Sequence, residues 1–80
     1  MDEWVVYILG CKDKTLYTGI TNNLERRIQQ HESGQGAKYT KGRGPFQIIY
    51  TEKCADKSIA LRREYEIKQL RKIEKLALSN

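Results

Sequence analysis

The chain has 80 residues, with one histidine, one proline, one tryptophan and two cysteines. Each scarcity excludes something. Cys11 and Cys54, with His31 as the single imidazole, do not form a zinc-binding spacing, so both are expected as free thiols packed in strands. The apolar run VVYIL is too short for a membrane span or the core of a secretory signal, and the start MDEW is acidic. A soluble, cytoplasmic protein with no membrane partner is expected. Eighty residues suffice for one modest core and no second domain, so residues 1–80 read as one unit. No internal repeat or low-complexity tract interrupts them.

Positive charge is what the sequence has in excess, a formal +5. It is concentrated: residues 12–44 hold seven Lys/Arg against three acids, and residues 57–75 again hold seven against three. Two basic segments in one small domain point to a polyanion, most simply nucleic acid. The alternative on charge alone is a solvated surface that keeps the domain soluble.

Apolar periodicity divides the chain into elements. WVVYILGC is rich in β-branched and aromatic residues and predicts a strand over residues 3–9. TLYTGI predicts a second over 15–20. The polar Lys12-Asp13-Lys14 between them predicts an antiparallel hairpin, with Gly10 at a turn or bulge. A turn centred near Lys12 sets Tyr7 opposite Tyr17, on one face of the sheet. In YTGITNNLERRIQQH the period then changes. Asn22 and Glu25 have the spacing of a helix cap with a reciprocal glutamate. Leu24 and Ile28 form an apolar stripe, Arg27 and His31 share a face, and Gly34 is the expected stop.

GQGAKYTKGRGP predicts a loop carrying Lys38, Tyr39, Lys41 and Arg43, groups able to meet an anion where backbone N–H groups are exposed. It lacks the Gly-Lys-Ser/Thr ending of a Walker loop. It reads equally as a plain connection. FQIIYTEK predicts a third strand over 46–53. Asp56 or Ser58 caps a helix over 58–70, and RKIEKLALSN continues in helical period, as one bent helix or two. The order β-β-α-β-α(-α) predicts a small α/β (α+β) domain whose three largely antiparallel strands are covered by helices.

Tyr7, Tyr17, Arg27, His31 and Glu64 are the residues with chemistry to offer. Phosphodiester hydrolysis needs a base near water, a cation at the phosphate and often a carboxylate-bound metal. At these residues the sequence resembles the GIY-YIG nuclease superfamily. Val5-Val6-Tyr7 stands where the family has Gly-Ile-Tyr, and Tyr17-Thr18-Gly19 where it has Tyr-Ile-Gly. Thr21, Asn23-Leu24, Arg26-Arg27 and His31 follow. Ala60-Leu61-Arg62-Arg63-Glu64, then Ile67-Lys68, looks like the family's metal-glutamate helix. Ile20 stands where some members have a lysine. The likeness spans almost the whole chain and is greatest to small, single-domain bacterial members.

The resemblance implies a role for each residue. Tyr7 would be the general base or position the attacking water, and Tyr17 would bond the phosphate or orient that water. Arg27 would hold the scissile phosphate, and His31 would assist the nucleophile. Glu64 would bind one divalent ion, Mg²⁺ or Mn²⁺. Gly19 would let hairpin and helix pack closely. A phenol titrates near pH 10, so Tyr7 as a base needs the positive charge of Arg27 or a metal. The implied substrate is nucleic acid, DNA before RNA, cut with little sequence specificity, with a protein partner for targeting. Lys38, Tyr39, Lys41, Arg43, Arg63 and Lys68 would contact it. The competing expectation is a nucleic-acid-binding module that keeps the scaffold with little or no catalysis. As plain structure, the tyrosines would be cross-strand partners and Glu64 would pair with Lys68.

Overall fold

The computed structural model describes residues 3–79. Strands β1 (Trp4–Gly10), β2 (Leu16–Thr21) and β3 (Gln47–Cys54) form an antiparallel sheet in the order β2-β1-β3. Helix α1 (Leu24–Glu32) joins β2 to a long loop, and α2 (Lys57–Lys68) and α3 (Lys72–Ala77) follow β3. The C-terminal segment is thus two helices. No helix among the described residues is long and apolar enough to cross a membrane.

Side-chain alternation on β1 divides the interior. Val6 and Ile8 point to one face, where Ala60 and Ile67 of α2 and Cys54 close a core with Trp4, Leu16, Ile20 and Tyr50 against it. Residues 60 and 67 are two helical turns apart, so α2 lays one stripe on the sheet. Tyr7 and Leu9 point to the other face and are as fully buried as Val6. That face is covered by α1 and the loop. Cys11 and Cys54 are buried free thiols.

The hairpin register differs from the expected one. Tyr7 pairs with Gly19, and Leu9 with Tyr17. The turn closes around Asp13: Cys11 N–H donates to Thr15 O at 2.9 Å, Lys14 N–H donates to Cys11 O at 3.0 Å, and Lys14 is left-handed at φ 73°. Asp13 accepts from the Thr15 backbone and hydroxyl. Moving the turn by one residue moves the register by two. Since strand side chains alternate with period two, both phenols stay on one face as diagonal neighbours. The bulge also lies elsewhere, on β3: Ile8 pairs with Tyr50 and Leu9 with Ile48, which leaves Ile49 as the extra residue.

The cap of α1 is Asn23, not Asn22. Its side chain accepts from Arg26 N–H at 3.1 Å. Thr21 fixes the entry by accepting from Asn23 N–H at 3.1 Å. Glu25 is then the second helical residue and too early for the reciprocal bond. The helix stops as expected, with Gly34 at φ 81°. Asp56 caps α2 by accepting from Ile59 N–H at 2.9 Å.

Candidate active site

The centre of the site is a buried hydrogen bond. Tyr7 sits on the middle strand and His31 in the last turn of α1, 0 % and 1 % exposed. Tyr7 Oη lies 2.8 Å from His31 Nε2. Gly19 makes this approach possible. A Cβ there would stand 2.6 Å from Tyr7 Oη and 2.8 Å from its Cζ, so the Tyr7 ring occupies the space of the missing side chain. The resemblance set Gly19 between hairpin and helix. The structure instead puts a phenol of the hairpin against it.

Tyr17, the diagonal neighbour, has its ring centroid 6.3 Å from Tyr7 and 5.2 Å from His31. Phe46 closes the imidazole's surroundings at 5.9 Å. Arg27, one helical turn before His31, lies beside both phenols, and its Nη1 donates to Gln30 Oε1 at 3.0 Å.

This packing sets the protonation preferences. Burial pushes the Tyr7 phenol above its usual range. The Arg27 guanidinium pulls against this, while Tyr17 and Glu64 add to it. Burial, with the charge of Arg27, holds the His31 imidazole below its usual range, so it is neutral near pH 7. Arg27 is held more firmly charged by the two phenols, despite burial pulling the other way.

Two loop residues that the sequence did not single out complete the group. His31 Nδ1 lies 2.7 Å from Thr40 Oγ1, and that hydroxyl donates to Ala37 O at 2.9 Å. At Gly36 a Cβ would stand 2.4 Å from His31 Nδ1. Nothing in the periodicity marks Thr40, because its partner is nine positions away across an irregular loop. The repeated glycines were the one visible signal at Gly36.

Glu64 stands apart from this group. It projects from α2, and its charge is still felt at Tyr7. Its side chain is 19 % exposed and pairs with Lys68 Nζ at 3.3 Å. Among the described residues no cluster of three or more acids, histidines or cysteines exists to hold a metal. By donor chemistry Glu64 fits a role as a single carboxylate ligand, although Lys68 Nζ now occupies its oxygen. Mg²⁺ is commonly held by one or two carboxylates, with water and substrate phosphate completing its shell.

The six residues assigned to nucleic acid divide in two. Lys38 and Lys41 are exposed, with no acidic partner among the described residues. The others are engaged within the fold. Tyr39 stacks on Tyr17 with centroids 6.0 Å apart, and the Arg43 guanidinium lies 4.5 Å from the Tyr39 centroid. Arg43 also pairs with Asp13, and its Nε donates to Tyr39 O at 2.7 Å. Arg63 Nε reaches both oxygens of Glu52, at 3.0 and 2.9 Å. Lys68 is the partner of Glu64. Tyr17, Thr18, Tyr39, Lys68 and Lys75 line an open groove of ≈ 270 Å³.

Two tyrosines on a hairpin, with an arginine and a histidine one turn apart on the next helix, define a class. A family model described as the GIY-YIG catalytic domain matches residues 3–77, and the chain belongs to this nuclease family. It is 61 % identical over 79 residues to a UPF0213 protein of Oceanobacillus iheyensis, covering 98 % of this chain and 92 % of that one. It is 58 % identical over 73 residues to a UPF0213 protein of Clostridium perfringens, covering 91 % and 78 %. Among solved structures it is similar to a UPF0213 protein from Bacillus halodurans, studied by solution NMR. That match has 50 % identity, a TM-score of 0.60 and coverage of 95 % of this chain and 81 % of that one. An NMR structure of a protein from E. faecalis matches at 37 % identity and TM-score 0.64, covering 98 % and 88 %.

Proposed function

We propose that the chain is a metal-dependent endonuclease that hydrolyses phosphodiester bonds in DNA with little sequence specificity. The observation that carries this is the buried Tyr7–His31 hydrogen bond, with Arg27 beside both phenols. A solubilising surface has no use for such a group, since burying polar atoms is costly unless each is partnered.

The chemistry follows from the donors and acceptors. As water attacks phosphorus it gives a proton to Tyr7 Oη, the scissile P–O bond breaks, and the leaving oxygen takes a proton from solvent. His31 Nε2 lies where it takes the phenol's own proton, so no free phenolate has to persist in the buried site. Arg27 offers a fixed cation for the negative charge that builds on the phosphate oxygens. Tyr17, which lines the groove, orients the water or bonds a phosphate oxygen. A divalent ion, Mg²⁺ or Mn²⁺, would supply further charge neutralisation at the phosphate, with Glu64 as its protein ligand. Lys68 would yield the carboxylate on loading and is then free for the DNA backbone.

The test is nicking of supercoiled plasmid with Mg²⁺ or Mn²⁺ by the wild type beside Glu64→Ala. Metal-dependent nicking by the wild type, lost in a folded E64A, is the expected result. E64A at the wild-type rate would remove Glu64 from the metal role. The second function, a binding module without catalysis, is favoured by the Glu64–Lys68 pair, which leaves the carboxylate satisfied without a metal. Salt-sensitive DNA binding with no nicking by either protein would select it.

A further inference from the structure

We propose that Thr40 is a positioning residue: its hydroxyl holds His31 as the Nδ1–H tautomer, which leaves Nε2 a bare acceptor for the Tyr7 proton.

The assignment follows from counting protons along one buried chain. Thr40 is 1 % exposed, so water does not compete for its hydroxyl. That hydroxyl has one proton, and it points to Ala37 O at 2.9 Å. Toward His31 Nδ1, 2.7 Å away, the Thr40 oxygen presents a lone pair. Nδ1 must therefore carry the hydrogen. A neutral imidazole has only one, so Nε2 is unprotonated and Tyr7 Oη donates to it across 2.8 Å.

The opposite tautomer would set two lone pairs against each other at Nδ1 and Thr40 in a site closed to water. It could be relieved only by turning the Thr40 hydroxyl away from Ala37 O, which would keep the Thr40 backbone N–H at 3.1 Å as its donor, and the Tyr7 hydroxyl would then lose Nε2 as its acceptor. Doubly protonated His31 would be a buried cation next to Arg27, against which burial and charge both act. Gly36 keeps the loop backbone tight against this edge of the ring, where any Cβ would collide with Nδ1. The loop, read from sequence as able to meet an anion or as a plain connection, is in this respect a template for the histidine.

The consequence for rate rests on the nuclease function proposed above, whereas the tautomer does not. With Nε2–H, His31 would donate to Tyr7 and could not receive its proton, and the base would be blocked. Thr40→Val keeps the shape and removes both hydrogen bonds, and Thr40→Ser keeps them.

The experiment is a long-range ¹H–¹⁵N correlation spectrum of the His31 ring, above its titration range, for wild type, T40S and T40V. The expected result is protonated Nδ1 and bare Nε2 in wild type and T40S, with the Nε2–H form gaining population in T40V. In the nicking assay T40V should lose at least about tenfold in kcat with KM for DNA unchanged, and T40S should restore it. Protonated Nε2 in the wild type would overturn the proposal, and that spectrum is decisive even where T40V does not fold. A folded T40V with the wild-type tautomer would overturn it equally. An Nδ1–H spectrum that shifts toward Nε2–H in T40V, from a chain that cuts no DNA, would uphold the role of Thr40 and count against the nuclease function alone.

Discussion

Tyr7 Oη has one proton and two lone pairs, and its neighbours account for most of them. In the tautomer proposed above the proton goes to His31 Nε2, 2.8 Å away, and the Arg27 guanidinium draws on the oxygen against the burial that raises its pKa. This arrangement makes the site sensitive to pH at His31. Its folded-state pKa is depressed below the ordinary value of about 6.5. The unfolded chain therefore binds a proton more readily, and stability rises with pH through that window. The contribution is full above about pH 6.5 and is lost as the pH falls toward the folded-state pKa. Thermal melts in acid should show the wild type losing stability across this range, with a shallower slope in His31→Gln. Equal slopes would mean that burial of a neutral imidazole contributes nothing. At high pH the sign reverses at Tyr7. Its raised pKa contributes stability that is present below about pH 10 and lost as the pH climbs through the folded-state value.

Elements matter here for where they set down a few atoms. The hairpin turn at Asp13 gives the register that puts Gly19 opposite Tyr7. Gly19→Ala brings a methyl to within 2.6 Å of Tyr7 Oη, closer than such atoms approach in folded proteins, and the neighbouring atoms belong to two packed rings. The phenol must move. We expect G19A to lower stability by roughly 1–3 kcal/mol and to break the Tyr7–His31 hydrogen bond, read as a melting shift and a changed His31 ring spectrum. An unchanged ring spectrum would show that the hairpin yields instead of the phenol. Helix α1 contributes a single turn's spacing, Arg27 to His31, once Asn23 has set its start. The loop after it orders the group from outside: Tyr39 on Tyr17, Arg43 on Tyr39 and Asp13, Thr40 on His31.

Across the whole molecule, charge that looks alike in sequence does different work. Arg63 staples α2 to β3 through Glu52, which also accepts from Tyr50 at 2.6 Å. Lys38 and Lys41 instead face solvent, with no acidic partner among the described residues. Lys38→Ala with Lys41→Ala should weaken DNA binding and reduce the salt slope by roughly one for each phosphate left without its lysine. Arg63→Ala should leave affinity nearly unchanged and lower the melting temperature. Titrations at two salt concentrations, beside thermal melts, separate the two. An affinity loss confined to R63A would place the DNA on α2 instead of the loop.

Much of this architecture was legible in the residues. Strand and helix periods, the caps at Asp56 and Gly34 and the shared face of Arg27 and His31 are local, and local sterics and hydrogen bonding express them directly. The tyrosine pair was also legible, because a two-residue register error preserves parity. Contacts between distant segments were not. The register itself turned on the left-handed Lys14 and the hydrogen bonds of Asp13. The engagement of Arg43 and Arg63 turned on where Asp13 and Glu52 came to lie. Thr40 met His31 only because an irregular loop folded back, and such a loop has no period to read. Composition and pattern settle which residues are buried and which elements form. The partner of each polar atom depends on the packed chain, where every buried donor must find the acceptor that geometry leaves it.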